Sequence, residues 1–266
     1  MIWWAVVLLA VFLIGVTKSG FGAGVGLMIV PMTTIAMGHT SRSSEATLGL
    51  MLPLLVAGDL FAVWQYRRLL RRGSQALAVL RRLAPGMIVG VVIGGLLLSL
   101  LHSRADLVGA LIRIEIGLES IGLVALYWWQ QYRGVQTRLM REPWRSHLIG
   151  ALSAISSTLA HAAGPIIAMY LLPLQLDRQL FVGTCALYFF ILNTAKLPAY
   201  AGSHMFAHAP LSFSLKFLPI VAAGAIFGVW FNRRISDKAF SRIIYIITFC
   251  LGWYVLGEGA FMLAQR

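Results

Sequence analysis

Four glycines on alternate positions interrupt what would otherwise be one apolar helix near the start of the chain. The interruption reads Lys18-Ser19-Gly20-Phe21-Gly22-Ala23-Gly24-Val25-Gly26 and is closed off by Pro31. The arms on either side, residues 2–16 and the run to Met37, are short for a hydrocarbon core about 30 Å thick, which takes roughly 20 apolar residues to cross. Backbone freed from a helix at membrane depth finds no hydrogen-bond partner in lipid. Such a break persists only where it is buried in protein or lines a water-filled cavity. The feature predicts a helical hairpin dipping into the membrane, or two short helices, with a transport site at the break.

Composition supports a membrane setting. Of 266 residues, 59% are hydrophobic and 12% charged, and the mean hydropathy is +0.81, which excludes a soluble globular domain. The chain supplies about eight apolar segments, or about ten if hairpin arms are counted singly, so the expected class is an all-α polytopic membrane protein. A net charge of +13 would suggest nucleic acid in a soluble chain. Here the basic residues fall mainly in short connections between apolar segments, where membrane topology explains them; the bilayer is the expected partner and nucleic acid is not. Cys185 and Cys250 each lie inside an apolar run, in neither a disulfide nor a zinc pattern. No basic residue precedes Lys18, so the first helix lacks the basic start of a cleavable signal peptide and is expected to stay.

The second half opens as the first does. Leu148 to Ala160 is apolar, His161-Ala162-Ala163-Gly164-Pro165 breaks it, and Ile166 to Pro173 completes a short second arm. Pro85, Gly90 and Gly94 match Pro219, Gly224 and Gly228 at an offset of 134, and Thr47 matches Thr184 at 137. An internal duplication follows, with residues 1–130 as first repeat, 131–146 as a basic linker and 147–266 as second repeat. The Thr47 register places Asp59 opposite Lys196. Basic clusters at 67–82, 133–145 and 233–242 read as cytoplasmic loops. All three reach one side only if segment 147–173 leaves the membrane where it entered. The halves are then inverted repeats, each a broken helical hairpin plus three transmembrane helices. Such an architecture binds its cargo near the midplane, where the two breaks converge.

The side chains near the breaks suit a small anion. A broken helix offers amide N–H groups and a positive dipole end, and Gly22, Gly24, Gly26 and Gly164 would let backbone approach the cargo; tight hairpin packing is the plainer use of the same glycines. Lys196 lies well inside a predicted span and Lys18 nearer an arm end, each fit either to neutralise an anion or to reach the interface. Asn193, one turn before Lys196, and Thr184 add neutral donors, as do Ser157 and Thr158. Asp59 is expected to pair with Lys196 and compete with the anion. His161 is either a proton-coupling group or a satisfied hydrogen-bonding one. Arg113, Glu115 and Glu119 form a structural charge network or a gating relay. Helix 83–101, rich in small residues, packs on another helix of this chain or builds a homodimer, the former being favoured. No cofactor or metal is expected, and the motifs of zinc and serine hydrolases are missing from the sequence, so an intramembrane enzyme is a weaker reading, as is an assembly scaffold. An inside-negative membrane expels anions with about 2.3 kcal/mol per charge per 100 mV, which makes export the easier direction.

The run Gly20 to Pro31 resembles the glycine-rich opening of the TauE/SafE family, the sulfite and organosulfonate exporters. His161-Ala162-Ala163-Gly164-Pro165 through Tyr170, then Gly183-Thr184 and Asn193-Thr194-Ala195-Lys196, resembles that family's second-half signature. The resemblance extends over nearly the whole chain. It implies a multi-pass carrier of the bacterial inner membrane for small sulfur-containing anions. A carboxylate or thiosulfate as cargo, or proton-coupled import, is the alternative it leaves open.

Overall fold

The computed structural model describes residues 2–22, 41–72, 74–100, 143–206 and 211–265, with alternating stretches of a helix between residues 110 and 132. Every regular element among them is helical. Helix α1 (Ile2–Val16) runs on through a π-helical turn, Thr17–Phe21, and α2 (Ser41–Arg72) and α3 (Ser74–Leu100) follow. The second half holds α4 (Pro143–Ala160), α5 (Gly164–Leu171) with a 3-10 turn at Leu172–Leu174, α6 (Arg178–Gly202), the short α7 (Leu211–Leu215), α8 (Leu218–Arg234) and α9 (Asp237–Ala264). Among the described residues three stretches are long and apolar enough to cross a membrane, Leu48–Leu70, Gln75–Leu100 and Arg178–Gly202; the apolar helix Val7–Phe21 is shorter. The chain is an all-α membrane protein.

Two expectations about element bounds need correction. The cluster at 67–82 is not a loop, because α2 continues to Arg72 and α3 resumes at Ser74. Gln65-Tyr66-Arg67-Arg68-Leu69-Leu70-Arg71-Arg72 holds no breaker before Gly73, and arginine and leucine are strong helix formers. The first interruption also starts later than the sequence suggests. Lys18 and Gly20 are still wound, in the π turn, and the backbone first departs from helix at Gly22, whose φ is +75°. Gly24 and Gly26 lie outside the described residues, as do the return arm of the first hairpin and Glu115 and Glu119.

Glycine decides how the helices meet. A Cβ on Gly86 would stand 1.7 Å from the His147 carbonyl oxygen, one on Gly90 2.3 Å from that of Ala151, and one on Gly94 2.8 Å from the Thr158 Cβ. So α3 packs backbone to backbone on α4 of the same chain, as favoured, and the rising numbers on both sides make the two helices parallel. The other half repeats this arrangement with the partners exchanged. Gly15 lies against Val221 and Ala225 of α8, Gly224 against Phe12, and Gly228 against Val16 and Gly20. Each glycine-bearing helix thus clamps the broken arm of the opposite half.

The second hairpin folds back on itself. Ser146 Oγ, at the start of α4, is 3.0 Å from Tyr170 Oη near the end of α5. Eight residues of α5 reach only about 12 Å, far short of a bilayer. The entry of α4 lies beside the basic end of α3, with His147 Nδ1 2.9 Å from the Arg82 carbonyl oxygen. The chain then leaves beside the basic end of α8, where an Arg178 guanidinium N–H donates to the Ile235 carbonyl. Entry and exit therefore meet basic clusters of the first and second halves, as the positive-inside count requires.

Candidate anion site at the broken helices

Helix α6 carries the site, because it packs on α2, α3 and the π turn at once and its inward positions are polar. Asn193 is 2% exposed and Lys196 fully buried. The Lys196 Nζ donates to the Ser157 carbonyl (3.0 Å) and Ser157 Oγ (2.9 Å) and lies 3.0 Å from His161 Nδ1. All three acceptors stand at the C-terminal end of α4 or in the break beyond it. His161 Nε2 meets the Leu48 carbonyl at 3.2 Å. A carbonyl only accepts, so Nε2 carries the proton and the neutral ring leaves Nδ1 as the acceptor toward Lys196. His161 sits at φ 55°, the left-handed conformation that ends α4 and turns the chain into the break. Tyr200 completes this end by donating to the Thr158 carbonyl at 2.7 Å.

Beyond the break, α5 starts at Gly164 with no side-chain cap on its first turn. Pro165 brings no N–H and Ile167 donates to the Ala163 carbonyl at 3.1 Å, so the donors left at this positive dipole end are those of Gly164 and Ile166, beginning three residues from His161. An ammonium and an uncapped helix N-terminus are thus two positive features at the two ends of one short break, His161 to Gly164. Glycine at 164 keeps the first amide unobstructed.

A second polar group faces the first from the other repeat. Lys18 Nζ is 2.8 Å from Asp59 Oδ1 and lies over the Phe189 ring at 4.3 Å. Asn193 Nδ2 donates to Asp59 Oδ2 at 2.6 Å. The expected Asp59–Lys196 pair is thereby overturned. Asp59 belongs to Lys18 and Asn193, because the repeats align on α2 and α6 at an offset of 134, not at that of Thr47 and Thr184. Tyr66 and Tyr200, 134 apart, make equivalent bonds: Tyr66 Oη donates to the Ser19 carbonyl at 2.7 Å, as Tyr200 does to that of Thr158. At that offset Asp59 matches Asn193, and the matched residues touch.

The remaining expected residues are not brought into this cluster. Thr184 returns its hydroxyl to the Leu180 carbonyl of its own helix at 2.7 Å, and twelve positions separate it from Lys196, about 18 Å along the axis. Gly22 backs onto α6 near Thr184, where a Cβ would come 2.9 Å from that of Cys185. The described parts of the two breaks thus touch α6 at different heights and do not meet head to head. Arg113 engages Glu258 of α9 at 3.4 Å, away from the Lys196 group. Tyr66 and Asn232, which donates to the Gly20 carbonyl at 2.6 Å, hold the π turn and were not anticipated. A signal existed, since a tyrosine follows Asp59 and Asn193 alike by seven positions, two helical turns on one face.

The family model for the sulfite exporter TauE/SafE matches residues 7–255. The chain belongs to the TauE/SafE family. Comparison with curated proteins and with solved structures gives no match. Within this TauE/SafE chain the match spans both broken arms, α2, α6 and α8, so every side chain of the buried polar cluster falls inside it. A transporter family also accords with a chain in which the polar side chains converge inside the membrane-spanning bundle.

Proposed function

We propose that the protein exports a small sulfur-containing anion, sulfite or an organosulfonate, across the bacterial inner membrane by alternating access. The observation that carries the reading is Lys196, a fully buried amine at a hairpin tip whose contacts among the described residues are neutral acceptors. Lys18 and Asp59 pair with one another, which leaves Lys196 in contact with no carboxylate among the described residues, with that pair only within electrostatic range. A buried charge with no contacting carboxylate is costly, and a small anion resting on Lys196 and the N–H of Gly164 would supply the opposite charge. The family match supports the sulfur-anion class and the outward direction. In this reading the two halves, as inverted repeats, expose the cluster to one side and then the other while the tightly packed glycine contacts move as units.

Purified protein in liposomes should release preloaded sulfite, or methanesulfonate as a stable sulfonate probe, faster when the exit side is made electrically positive. Acetate and thiosulfate, run alongside, measure selectivity. Equal rates in protein-free liposomes for every anion tested contradict a carrier role.

A further inference from the structure

The contacts of Lys196 single out the side chain that touches the cargo, an inference that rests on the carrier reading above. An ammonium has three N–H groups, and Lys196 meets three acceptors, the Ser157 carbonyl, Ser157 Oγ and His161 Nδ1. Its charge is in place and its donors are engaged. One of those acceptors, the Ser157 hydroxyl, has a donor of its own left over.

A serine or threonine inside a helix commonly turns its hydroxyl back on a carbonyl three or four positions earlier. Ser153 does so to Gly150 at 3.0 Å, Thr158 to Ala154 at 2.8 Å and Thr184 to Leu180 at 2.7 Å. Ser157, 2% exposed in the last turn of α4, does not. Its Oγ accepts from Nζ at 2.9 Å, which sets the sense of the hydroxyl: oxygen toward the ammonium, proton away from it. No acceptor among the described residues takes that proton. A buried donor left unused costs free energy, which a ligand oxygen recovers. A cation is refused at the same point, because Nζ stands on the far side of Oγ. We propose that the Ser157 hydroxyl donates directly to an oxygen of the transported anion. The charge of Lys196 then acts on the cargo through a hydroxyl that it polarises, a stronger donor than a serine among neutral groups. The atom that fits there is an unprotonated oxygen, which a sulfonate or sulfite supplies.

Methanesulfonate efflux from proteoliposomes, followed over a range of internal concentrations, separates half-saturation from maximal rate. Ser157→Ala should raise the half-saturating concentration roughly 10- to 100-fold, the range for a hydrogen bond to a charged group, and change the maximal rate less. Ser157→Cys keeps the shape of the side chain and offers only a weak donor. It should shift half-saturation in the same direction, and it carries the test should the alanine variant not fold. Ser153→Ala, on the same helix and with its hydroxyl already engaged by Gly150, should half-saturate as the wild type does. The rise of the thermal midpoint with added methanesulfonate should rank the variants in the same order at equilibrium. Wild-type half-saturation in the folded Ser157 variants, with normal wild-type flux, assigns the serine to holding Lys196 alone; that result overturns the inference and leaves the carrier reading standing. Absence of any anion flux in the wild type overturns both.

Discussion

At the scale of single residues, the buried polar groups fall into two sets with different consequences when altered. Asp59 is fully buried and holds Lys18 and Asn193 together. Asp59→Asn leaves the Lys18 ammonium without its counter-ion, which should cost about 3–5 kcal/mol. A fall in the thermal midpoint of the detergent-solubilised protein, partly reversed in the Lys18→Gln, Asp59→Asn double variant, is the expected result. Gly22 stands at φ +75° with Cys185 packed where a Cβ would go, so Gly22→Ala should cost about 1–3 kcal/mol through strained backbone alone. Lys196 differs from both, since it adds a second bond to the Ser157 carbonyl, which also accepts the His161 N–H at 2.9 Å, as well as carrying charge. Replacing it by glutamine preserves a donor and removes the charge, which separates the two duties.

At the scale of elements, the interruptions are held by side chains borrowed from other helices. In the π turn the carbonyls of Ser19 and Gly20 each accept from a side chain of another helix, Tyr66 of α2 and Asn232 of α8. Tyr66→Phe and Asn232→Leu should each destabilise by about 1–3 kcal/mol, because a buried carbonyl loses its donor. The double variant should lose less than the sum, as the two caps share one turn; denaturant titration followed by tryptophan fluorescence measures this. The clamp between α3 and α4 is as specific: Gly90→Leu sets a side chain against the Ala151 backbone and should abolish folding in detergent, whereas Gly257→Ala, with open space at its Cβ, should not. The glycine and proline pattern made these breaks and clamps legible in the sequence. Which side chain reaches which carbonyl was not legible, because Tyr66 lies 47 positions from Ser19 and Asn232 lies 212 from Gly20. For the same reason composition and spacing placed Lys196 in the site yet assigned it the wrong carboxylate.

At the scale of the whole molecule, two broken arms are each gripped by a parallel glycine-bearing helix of the other half, around polar residues on α2 and α6. Charge asymmetry made the topology readable from the sequence, since the basic ends of α2, α3 and α8 gather on one side. A cysteine introduced at Ser236 should be labelled only from the cytoplasm, and one at Ser203, at the far end of α6, only from outside. Labelling of both from one side would undo the inverted arrangement. The central claim is that the buried charge of Lys196 attracts the transported anion. Anion efflux from proteoliposomes containing Lys196→Gln measures it most directly. The account predicts a loss of at least about tenfold, the equivalent of 1.4 kcal/mol or more of lost charge attraction, in a protein that stays folded by its thermal midpoint; sulfite and methanesulfonate flux at the wild-type rate would contradict it.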